Sequence, residues 1–250
     1  MKEEILKIEN WIKQYISNAQ ADGVVIGMSG GKDSMVVAKL CVNALGNDKV
    51  FGVIMPNGEM SDKSDAEETC KFLEIPFSTI NIENAYNSII DSVIPVLNQN
   101  NKGLGSVTTI NTAPRVRMTT LYAIAGSMNY LVANTSNLSE TMIGYSTKWG
   151  DNAGDFAPIA NFTKTEVCEM GLMLGLPKHL VNKVPSDGLS GRSDEDKIGF
   201  TYESLDNFIR TGEKTADYEK FMIKHKFAQH KINGVNKYKN SYKNYFLGEK

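Results

Sequence analysis

Residues 24–34 read VVIGMSGGKDS, an apolar run that passes through glycines into a polar turn. The residues that follow, 33–45, are apolar on almost every side and end at Gly46. A short apolar run, a glycine turn and an apolar helix in this order predict a buried strand followed by a buried helix. Because the first N–H groups of such a helix are free to bind an anion, the turn is a candidate phosphate site.

Three known glycine or serine motifs do not account for this turn. A Walker loop would need glycine at position 26 and serine or threonine at position 33, where the chain has Ile26 and Asp33. A dinucleotide fingerprint starting at Gly27 would need glycine where the chain has Ser29. The Ser-x-x-Lys pair of β-lactamases is present, but its Ser-Asp-Asn and Lys-Thr-Gly partners are absent. A turn that only caps a helix is the structural alternative.

Outward from this turn, strand and helix patterns alternate. Further strands are predicted at 50–55, 77–82 and 130–134, and helices at 3–17, 62–73, 85–96 and 164–174. We expect 98–109 to be irregular, Pro114 to start a helix through Ala125, and the polar, glycine-containing segment up to Asp155 to be a loop. The alternation predicts an α/β fold with a parallel sheet flanked by helices on both faces and a site at the strand ends.

Composition fits one globular domain over residues 1–250. The chain is 41% hydrophobic with a net charge of −2, so neither a nucleic acid nor an anionic membrane is expected as a partner. Without an apolar run of about 18 residues or a signal-peptide pattern, we expect a cytoplasmic protein. The three cysteines are expected to be buried free thiols. The last forty residues are rich in lysine, which is typical of a solvated tail, and we assign the tail itself to about 233–250.

The motifs together resemble a known family. Ser-Gly-Gly-x-Asp-Ser at 29–34 is similar to the pyrophosphate loop of the ATP pyrophosphatases, which split ATP into AMP and pyrophosphate. Residues 111–125, NTAPRVRMTTLYAIA, resemble the Arg-x-Arg-Met helix of NAD synthetases, and 134–140 and 144–155 resemble that family's next two blocks. Four blocks follow in the family's order over roughly residues 3–232. The resemblance implies a Rossmann-like ATP pyrophosphatase architecture.

The resemblance also implies roles for individual residues. Asp33 and Glu140 would bind Mg²⁺ and, with Lys164, would form the catalytic centre. The expected ATP contacts are Ser29, Gly30, Gly31, Ser34, Thr135, Lys164 and Ser186. The expected deamido-NAD contacts are Arg115, Tyr122, Lys148, Asp151, Asp155, His230 and Lys231. Members differ from this chain at 152–154, at 187–188 and after Lys231.

The implied activity is amidation of deamido-NAD to NAD through an acyl adenylate, with ATP and Mg²⁺, by a homodimer. Only one helix and one strand are predicted before Ser29, which leaves no room for an amidase, so free ammonia is the expected nitrogen source. Two alternatives stay open: another ATP pyrophosphatase, such as a tRNA-thiolating enzyme, and a non-catalytic nucleotide-binding module. The cysteines and the near-neutral charge fit the first alternative poorly.

Overall fold

Four parallel strands form the central sheet of the computed structural model, which describes residues 1–183 and 193–235. The strands are β1 (Gly23–Gly27), β2 (Val50–Ile54), β3 (Phe77–Thr79) and β4 (Tyr130–Val132), in the order β3-β2-β1-β4. At the centre, Val25 of β1 is in register with Phe51 and Val132. The predicted parallel sheet is therefore confirmed, with β1 and its glycine turn in the middle.

Eleven α-helices surround the sheet within the described ranges. They are α1 (Lys2–Asn18), α2 (Lys32–Leu45), α3 (Lys63–Phe72), α4 (Glu83–Gln99), α5 (Ser106–Met128), α6 (Leu138–Ile143), α7 (Lys164–Met173), α8 (Lys178–Val181), α9 (Asp194–Ile198), α10 (Tyr202–Thr211) and α11 (Tyr218–Ile232). A short 3₁₀ turn, Asn47–Lys49, precedes β2.

The two faces of β1 build two separate apolar cores. Val24 and Ile26 pack with α1, α2 and α7 on one face, whereas Val25 packs beneath α5 on the other. Burial of each such side chain contributes about 1.5–3 kcal/mol, which explains why β1 is apolar on both sides. A third cluster around Phe221 joins α6, α9, α10 and α11 beside the carboxyl end of the sheet.

One predicted boundary is wrong at α5. The helix begins at Ser106, so the irregular connection is shorter than expected and Pro114 lies inside the helix. Proline removes one backbone hydrogen bond, to the carbonyl four residues earlier. That carbonyl belongs to Ile110, an exposed residue, while Ala113 and Val116 are buried against the sheet. Packing of α5 on β1 and β4 therefore outweighs the local cost of the proline.

Two helices lie in segments where no helix was predicted. The loop predicted up to Asp155 contains α6, whose N-cap is Asn137 and whose buried residue Ile143 anchors it. The lysine-rich C-terminal region contains α11, in which Phe221 and Ala228 are buried seven residues apart, on one face. The proposed tail at 233–250 lies outside the described residues after position 235.

Two of the three cysteines are buried as predicted. Cys41 and Cys70 lie in the core, and burial raises the pKa of the Cys70 thiol to about 12 and that of Cys41 further. Cys168 is partly exposed, contrary to the prediction. Across the described ranges, the helices are too short or too polar to cross a lipid bilayer.

Candidate active site

The turn between β1 and α2 is held in shape by its own side chains. Ser29 Oγ accepts a hydrogen bond from the Gly31 N–H (3.2 Å), and the Ser34 hydroxyl donates to the Gly31 carbonyl (2.9 Å). Gly30 has φ +79°, and a Cβ there would lie 2.5 Å from the carbonyl oxygen of Asp62. Glycine is therefore required at position 30 by both backbone conformation and space.

This turn forms one wall of a pocket of about 300 Å³ at the carboxyl end of β1. Gly31 is the N-cap of α2, and no side chain of the described residues caps the helix there, which leaves its first N–H groups available to a ligand. Thr135, Glu140, Asp151 and Lys164, all predicted site residues, also line the pocket. A pocket that opens on a helix N-terminus favours anionic ligands such as phosphates.

Three predicted catalytic residues meet in a charge cluster in this pocket. Lys164 Nζ lies 2.6 Å from Asp33 Oδ2 and 2.8 Å from Glu140 Oε1. The lysine side chain is only 6% exposed, while the carboxylates keep 16% and 17% of their surface. The sequence places these residues on α2, α6 and α7, so the fold brings them together from three elements.

Asn137 connects the two carboxylates. Its side-chain N–H donates to Asp33 Oδ1 (3.1 Å), and its Oδ1 accepts from the Glu140 backbone N–H (3.0 Å). Asn137 therefore caps α6 and fixes Asp33 at the same time. Sequence reasoning assigned it no role, although asparagine three residues before glutamate is a helix-start signal that was available.

Burial and charge set the protonation of the cluster. Burial raises the pKa of Glu140 to about 7; the Lys164 ammonium opposes this rise and the Asp33 carboxylate adds to it. Burial alone would lower the pKa of Lys164, but the charges of Asp33 and Glu140 raise it well above its usual value. Lys164 is therefore a permanent cation near neutral pH, positioned between two carboxyl groups.

A second layer of contacts fixes the first turn of α7, where Lys164 begins the helix. Ser139 accepts a hydrogen bond from the Lys164 backbone N–H (2.9 Å) and donates to the buried carboxylate of Asp206. Asp206 also accepts from the Thr165 N–H (2.8 Å). Ser139 and Asp206 were not predicted, because their pairing joins positions 67 residues apart.

Asp151 alone among the predicted deamido-NAD contacts lines this pocket. Its Oδ1 accepts from the Thr147 backbone N–H, and burial raises the pKa of its carboxyl group despite that bond. The side chain of Asn134 donates to the Asp151 carbonyl (3.1 Å) and holds the segment against the sheet.

Tyr122 and Asp155 form a separate pair, away from this pocket. The Tyr122 hydroxyl donates to Asp155 Oδ1 (3.1 Å), and Asp155 Oδ2 accepts from the Val132 N–H at the end of β4 (2.7 Å). Burial and the Asp155 charge raise the pKa of Tyr122 to about 12. The position of the pair is therefore fixed by the hydrogen bond from β4, not by the phosphate turn.

Lys148 lies against the end of α11 rather than in the pocket. Its Nζ donates to the carbonyl oxygens of His230 (2.5 Å) and Gly234 (2.8 Å), where a cation is favoured by the helix dipole. Its own carbonyl accepts from Arg115 Nε (3.2 Å). In this contact His230 contributes its backbone carbonyl oxygen rather than its imidazole ring.

Lys231 joins the same two regions in the other direction, from α11 to the segment after α6. From the last turn of α11 its Nζ donates to the carbonyl oxygens of Gly144 (2.7 Å) and Ser146 (2.6 Å). We call Lys148, Lys231 and the carbonyls they bind the lysine clasp. It ties α11 to the segment that carries Asp151, although the two parts are more than eighty residues apart in sequence.

The pocket also contains residues that the sequence did not suggest. Lys183 Nζ contacts Asp62 Oδ1 (2.8 Å), and the Tyr145 hydroxyl donates to Asp194 Oδ1 (2.9 Å). Both pairs join distant segments, so no local pattern could reveal them. The predicted ATP contact Ser186 lies outside the described residues.

Comparison with known proteins gives consistent matches. Residues 4–245 match the protein family described as NAD synthase. The NH(3)-dependent NAD(+) synthetase of Carboxydothermus hydrogenoformans is 40% identical, over 92% of this chain and 94% of that protein. Among solved structures, the NMN synthetase of Francisella tularensis has a TM-score of 0.86 at 36% identity, covering 96% of this chain and 98% of that chain. The NH3-dependent NAD synthetase of Campylobacter jejuni has a TM-score of 0.77 at 26% identity with the same coverage.

Proposed function

The chain belongs to the NAD synthase family of C–N bond-forming ligases, and from this premise we propose that it amidates deamido-NAD to NAD with ATP, Mg²⁺ and free ammonia. The observation that carries the proposal is the convergence of Asp33, Glu140 and Lys164 beside a glycine turn at a helix N-terminus. The family assignment removes the support for a tRNA-thiolating enzyme.

The chemistry explains why such a pocket is needed. A carboxylate is a poor acyl donor because it lacks a good leaving group. In the proposed reaction the nicotinate carboxylate attacks the α-phosphate of ATP, pyrophosphate leaves, and ammonia then displaces AMP from the acyl adenylate. Both steps need alignment and charge neutralisation rather than a nucleophilic side chain.

The phosphate-binding work falls to the turn at 29–34 and to Lys164. The N–H groups of α2 and the Ser29 hydroxyl can donate to phosphate oxygens, and Thr135 lines the same pocket. The Ser34 hydroxyl would have to exchange the Gly31 carbonyl for a phosphate oxygen. The Lys164 ammonium can neutralise charge on the departing pyrophosphate. Its charge is secured by the two carboxylates next to it.

The donor set fits Mg²⁺. Asp33 and Glu140 supply two hard carboxylate oxygens within reach of a single cation, since both already contact the same nitrogen atom. Magnesium sites in nucleotide enzymes use one or two carboxylates together with substrate phosphates. When bound, the metal would neutralise phosphate charge and orient the triphosphate.

For the dinucleotide acid we propose the predicted contacts, with Asp151 nearest the phosphate turn. The Tyr122–Asp155 pair is ordered, and Arg115, Lys148, His230 and Lys231 lie in one neighbourhood at the end of α11. To reach a substrate, the ammonium groups of Lys148 and Lys231 would have to exchange their backbone carbonyl partners for it.

A specific observation supports a second candidate, amidation of the mononucleotide acid. The NMN synthetase of Francisella tularensis is more similar to this chain, at 36% identity and TM-score 0.86, than the Campylobacter jejuni NAD synthetase is. The same adenylation chemistry applies to both acids, because both carry the nicotinate carboxylate. The Carboxydothermus hydrogenoformans relative, at 40% identity, favours the dinucleotide.

The test is a direct comparison of the two acids. Purified protein is supplied with ATP, Mg²⁺, ammonium and either deamido-NAD or nicotinate mononucleotide, and amide product, AMP and pyrophosphate are quantified. We expect equal amounts of the three products and a higher kcat/KM for deamido-NAD. A higher value for the mononucleotide would establish the second candidate. ATP consumption without amide, or no reaction with either acid, would contradict the proposed function.

We also propose a homodimer built on α4 and α5. No residue of α4 is buried, although the helix is mostly apolar and exposes Ile89 and Val96. At the start of α5, Val107 and Ile110 are each 68% exposed. Adjacent apolar patches on neighbouring helices are typical of a surface that another chain covers.

A further inference from the structure

The charge cluster places two acidic side chains against a single cation. Lys164 contributes one positive charge between two carboxylates, and it lies within hydrogen-bond distance of both. The ring of Tyr202 lies 5.5 Å from the same ammonium and adds a weaker attraction. The ammonium thus occupies a place between the carboxylates where a metal ion bound by both would also lie.

Both cations cannot use this place at low cost. A divalent ion held by Asp33 and Glu140 would stand within a few ångströms of the Lys164 ammonium, in a site where that side chain is only 6% exposed. Like charges repel strongly when water is largely excluded. The lysine stem begins at the first residue of α7, which the Thr163 capping box and Ser139 hold in place, so only the side chain can move.

ATP changes this balance. Its phosphates would arrive at the glycine turn, in the pocket that Lys164 also lines, and would offer the ammonium new oxygen partners. On the premise of the function proposed above, we propose that Lys164 acts as the resident cation of the nucleotide-free enzyme and excludes divalent metal until ATP draws the ammonium away. Metal and nucleotide then enter as one coupled event.

The test measures binding of Mn²⁺ to nucleotide-free protein through the electron paramagnetic resonance signal of the free ion. Wild-type protein should bind Mn²⁺ weakly, and Lys164→Met, which keeps most of the stem but removes the charge, should bind it about 10- to 100-fold more tightly. Arg210→Met is the matched control. Arg210 lies on α10, and its Nε is 2.7 Å from Oε1 of Glu166, which lies on α7 with Lys164. The variant removes this cation and should leave Mn²⁺ affinity at the wild-type value. Lys164→Met combined with Glu140→Gln should return the affinity towards wild type.

Three results would overturn the inference: tight Mn²⁺ binding by nucleotide-free wild type, unchanged binding by a folded Lys164→Met protein, or tight binding that survives Glu140→Gln in the double variant. Circular dichroism and thermal unfolding show whether the variants are folded, and Lys164→Gln replaces the methionine variant if it is not. The wild-type measurement stands by itself in either case. Failure of the proposed function would instead appear as absence of amide product from wild-type protein, a separate assay.

Discussion

At Asp33 the two carboxylate oxygens have different partners, and this division explains the arrangement of the site. Oδ2 faces the Lys164 ammonium and Oδ1 accepts from the neutral amide of Asn137. Asn137 in turn orders Glu140 through the α6 cap. One uncharged side chain therefore sets the spacing of two acids without neutralising either of them.

Replacing Asp33 by asparagine should remove charge while nearly preserving shape. We expect kcat to fall by about 100- to 1,000-fold, the range for loss of transition-state charge stabilisation. The fold should stay intact, because Lys164 retains its ion pair with Glu140. Amide formation at saturating Mg²⁺ is the measurement. Asp48→Asn, at an exposed site before β2, is the matched control and should keep the wild-type rate. A near-normal rate for Asp33→Asn would show that the assignment is wrong.

The raised pKa of Glu140 predicts a pH-dependent stability. Its pKa is about 7 in the folded chain against an ordinary value of 4.5, so the folded state binds the proton more tightly than the unfolded state. Protonation therefore favours folding, and this contribution is lost as pH rises from about 4.5 to about 7.

The measurement for Glu140 is the free energy of unfolding by urea between pH 5 and pH 7, without metal or nucleotide. Glu140→Gln cannot lose this proton, so its stability should decline less over that interval than that of wild type. Parallel curves for the two proteins would contradict the assigned shift. Glu166→Gln is the comparison: although burial opposes the shift, Arg210 lowers the pKa of that acid below its ordinary 4.5, so Glu166 stays ionised between pH 5 and pH 7 and its variant should decline in parallel with wild type.

Asp33, Glu140 and Lys164, which the fold brings into contact, could be singled out in the sequence because each lies in a short, ordered motif. The glycine turn can be recognised in the sequence for a local reason: the backbone conformation and the nearby Asp62 carbonyl both require glycine at position 30. Lys148 and Lys231 also stand in motif positions, yet their ammonium groups bind backbone carbonyls across the fold. A motif gives a residue's neighbourhood but not the partner that its flexible side chain selects.

At the scale of elements, the C-terminal end of α6 lies directly against α11. A Cβ placed on Gly144, the C-cap of α6 with φ +67°, would lie 2.6 Å from Ala228 Cβ on α11. Small residues on both sides bring the backbones together, and the lysine clasp closes the same junction. This junction was not predicted, because the lysine-rich composition of α11 conceals two buried positions, Phe221 and Ala228.

Alanine at position 144 separates the packing of this junction from its backbone strain. Gly199 is the matched control: it is also the C-cap of a short helix at positive φ, but no atom of residues 1–183 or 193–235 lies within 4 Å of its added Cβ. Both alanine variants carry left-handed strain of about 1–2 kcal/mol. Gly144→Ala should lose about 1–3 kcal/mol more, from overpacking against Ala228. Equal losses in urea unfolding would show that the close approach costs nothing.

The element boundaries that were missed have a common physical cause. Propensity placed the start of α5 at Pro114, whereas packing of Ala113 and Val116 on the sheet extends it back to Ser106. β1, β2 and α2 were predicted well because they are buried on several sides and their apolar runs are continuous. β3 and β4 are less buried, and both end before the predicted positions 82 and 134. Elements stabilised by one face or by a cap leave a weaker pattern.

At the scale of the whole molecule, the apolar core under the sheet buries one side of α5, whereas α4 has no buried residue. The exposed apolar residues of these helices lie away from the phosphate pocket, so a second chain could cover them without blocking the turn at 29–34. Two predictions concern the whole molecule: its quaternary structure and its nitrogen donor.

Light scattering tests the proposed dimer. We expect a mass of about twice 27.6 kDa for wild type and the monomer mass for a variant carrying both Val107→Asp and Ile110→Asp. Leu6→Asp, at an exposed apolar position on α1, should remain dimeric. A monomeric wild type, or a dimer that persists in the double variant, would exclude this interface.

Ammonium should be the effective nitrogen donor, and glutamine freed of ammonia should give no more than background product. Hydrolysis of glutamine by this chain would need a reactive nucleophile such as a thiol, but Cys41 and Cys70 are buried and their pKa values are raised. Cys168 is partly exposed, but it packs against the apolar core and is not among the residues described as lining the phosphate pocket. The Carboxydothermus hydrogenoformans relative is an NH(3)-dependent enzyme. Comparable rates with both donors, abolished by a thiol-directed inhibitor, would overturn this expectation.

The lysine clasp has a consequence for the order in which the protein can be made. A ribosome releases the glycine turn and the acids first, while Lys231, which holds the Gly144 and Ser146 carbonyls, emerges some eighty residues later. Tyr145, on the pocket wall, lies between those two carbonyls in the chain. All four strands of the sheet therefore precede α11 during synthesis, and the segment around Tyr145 on the pocket wall gains its Lys231 contacts only after α11 has left the exit tunnel.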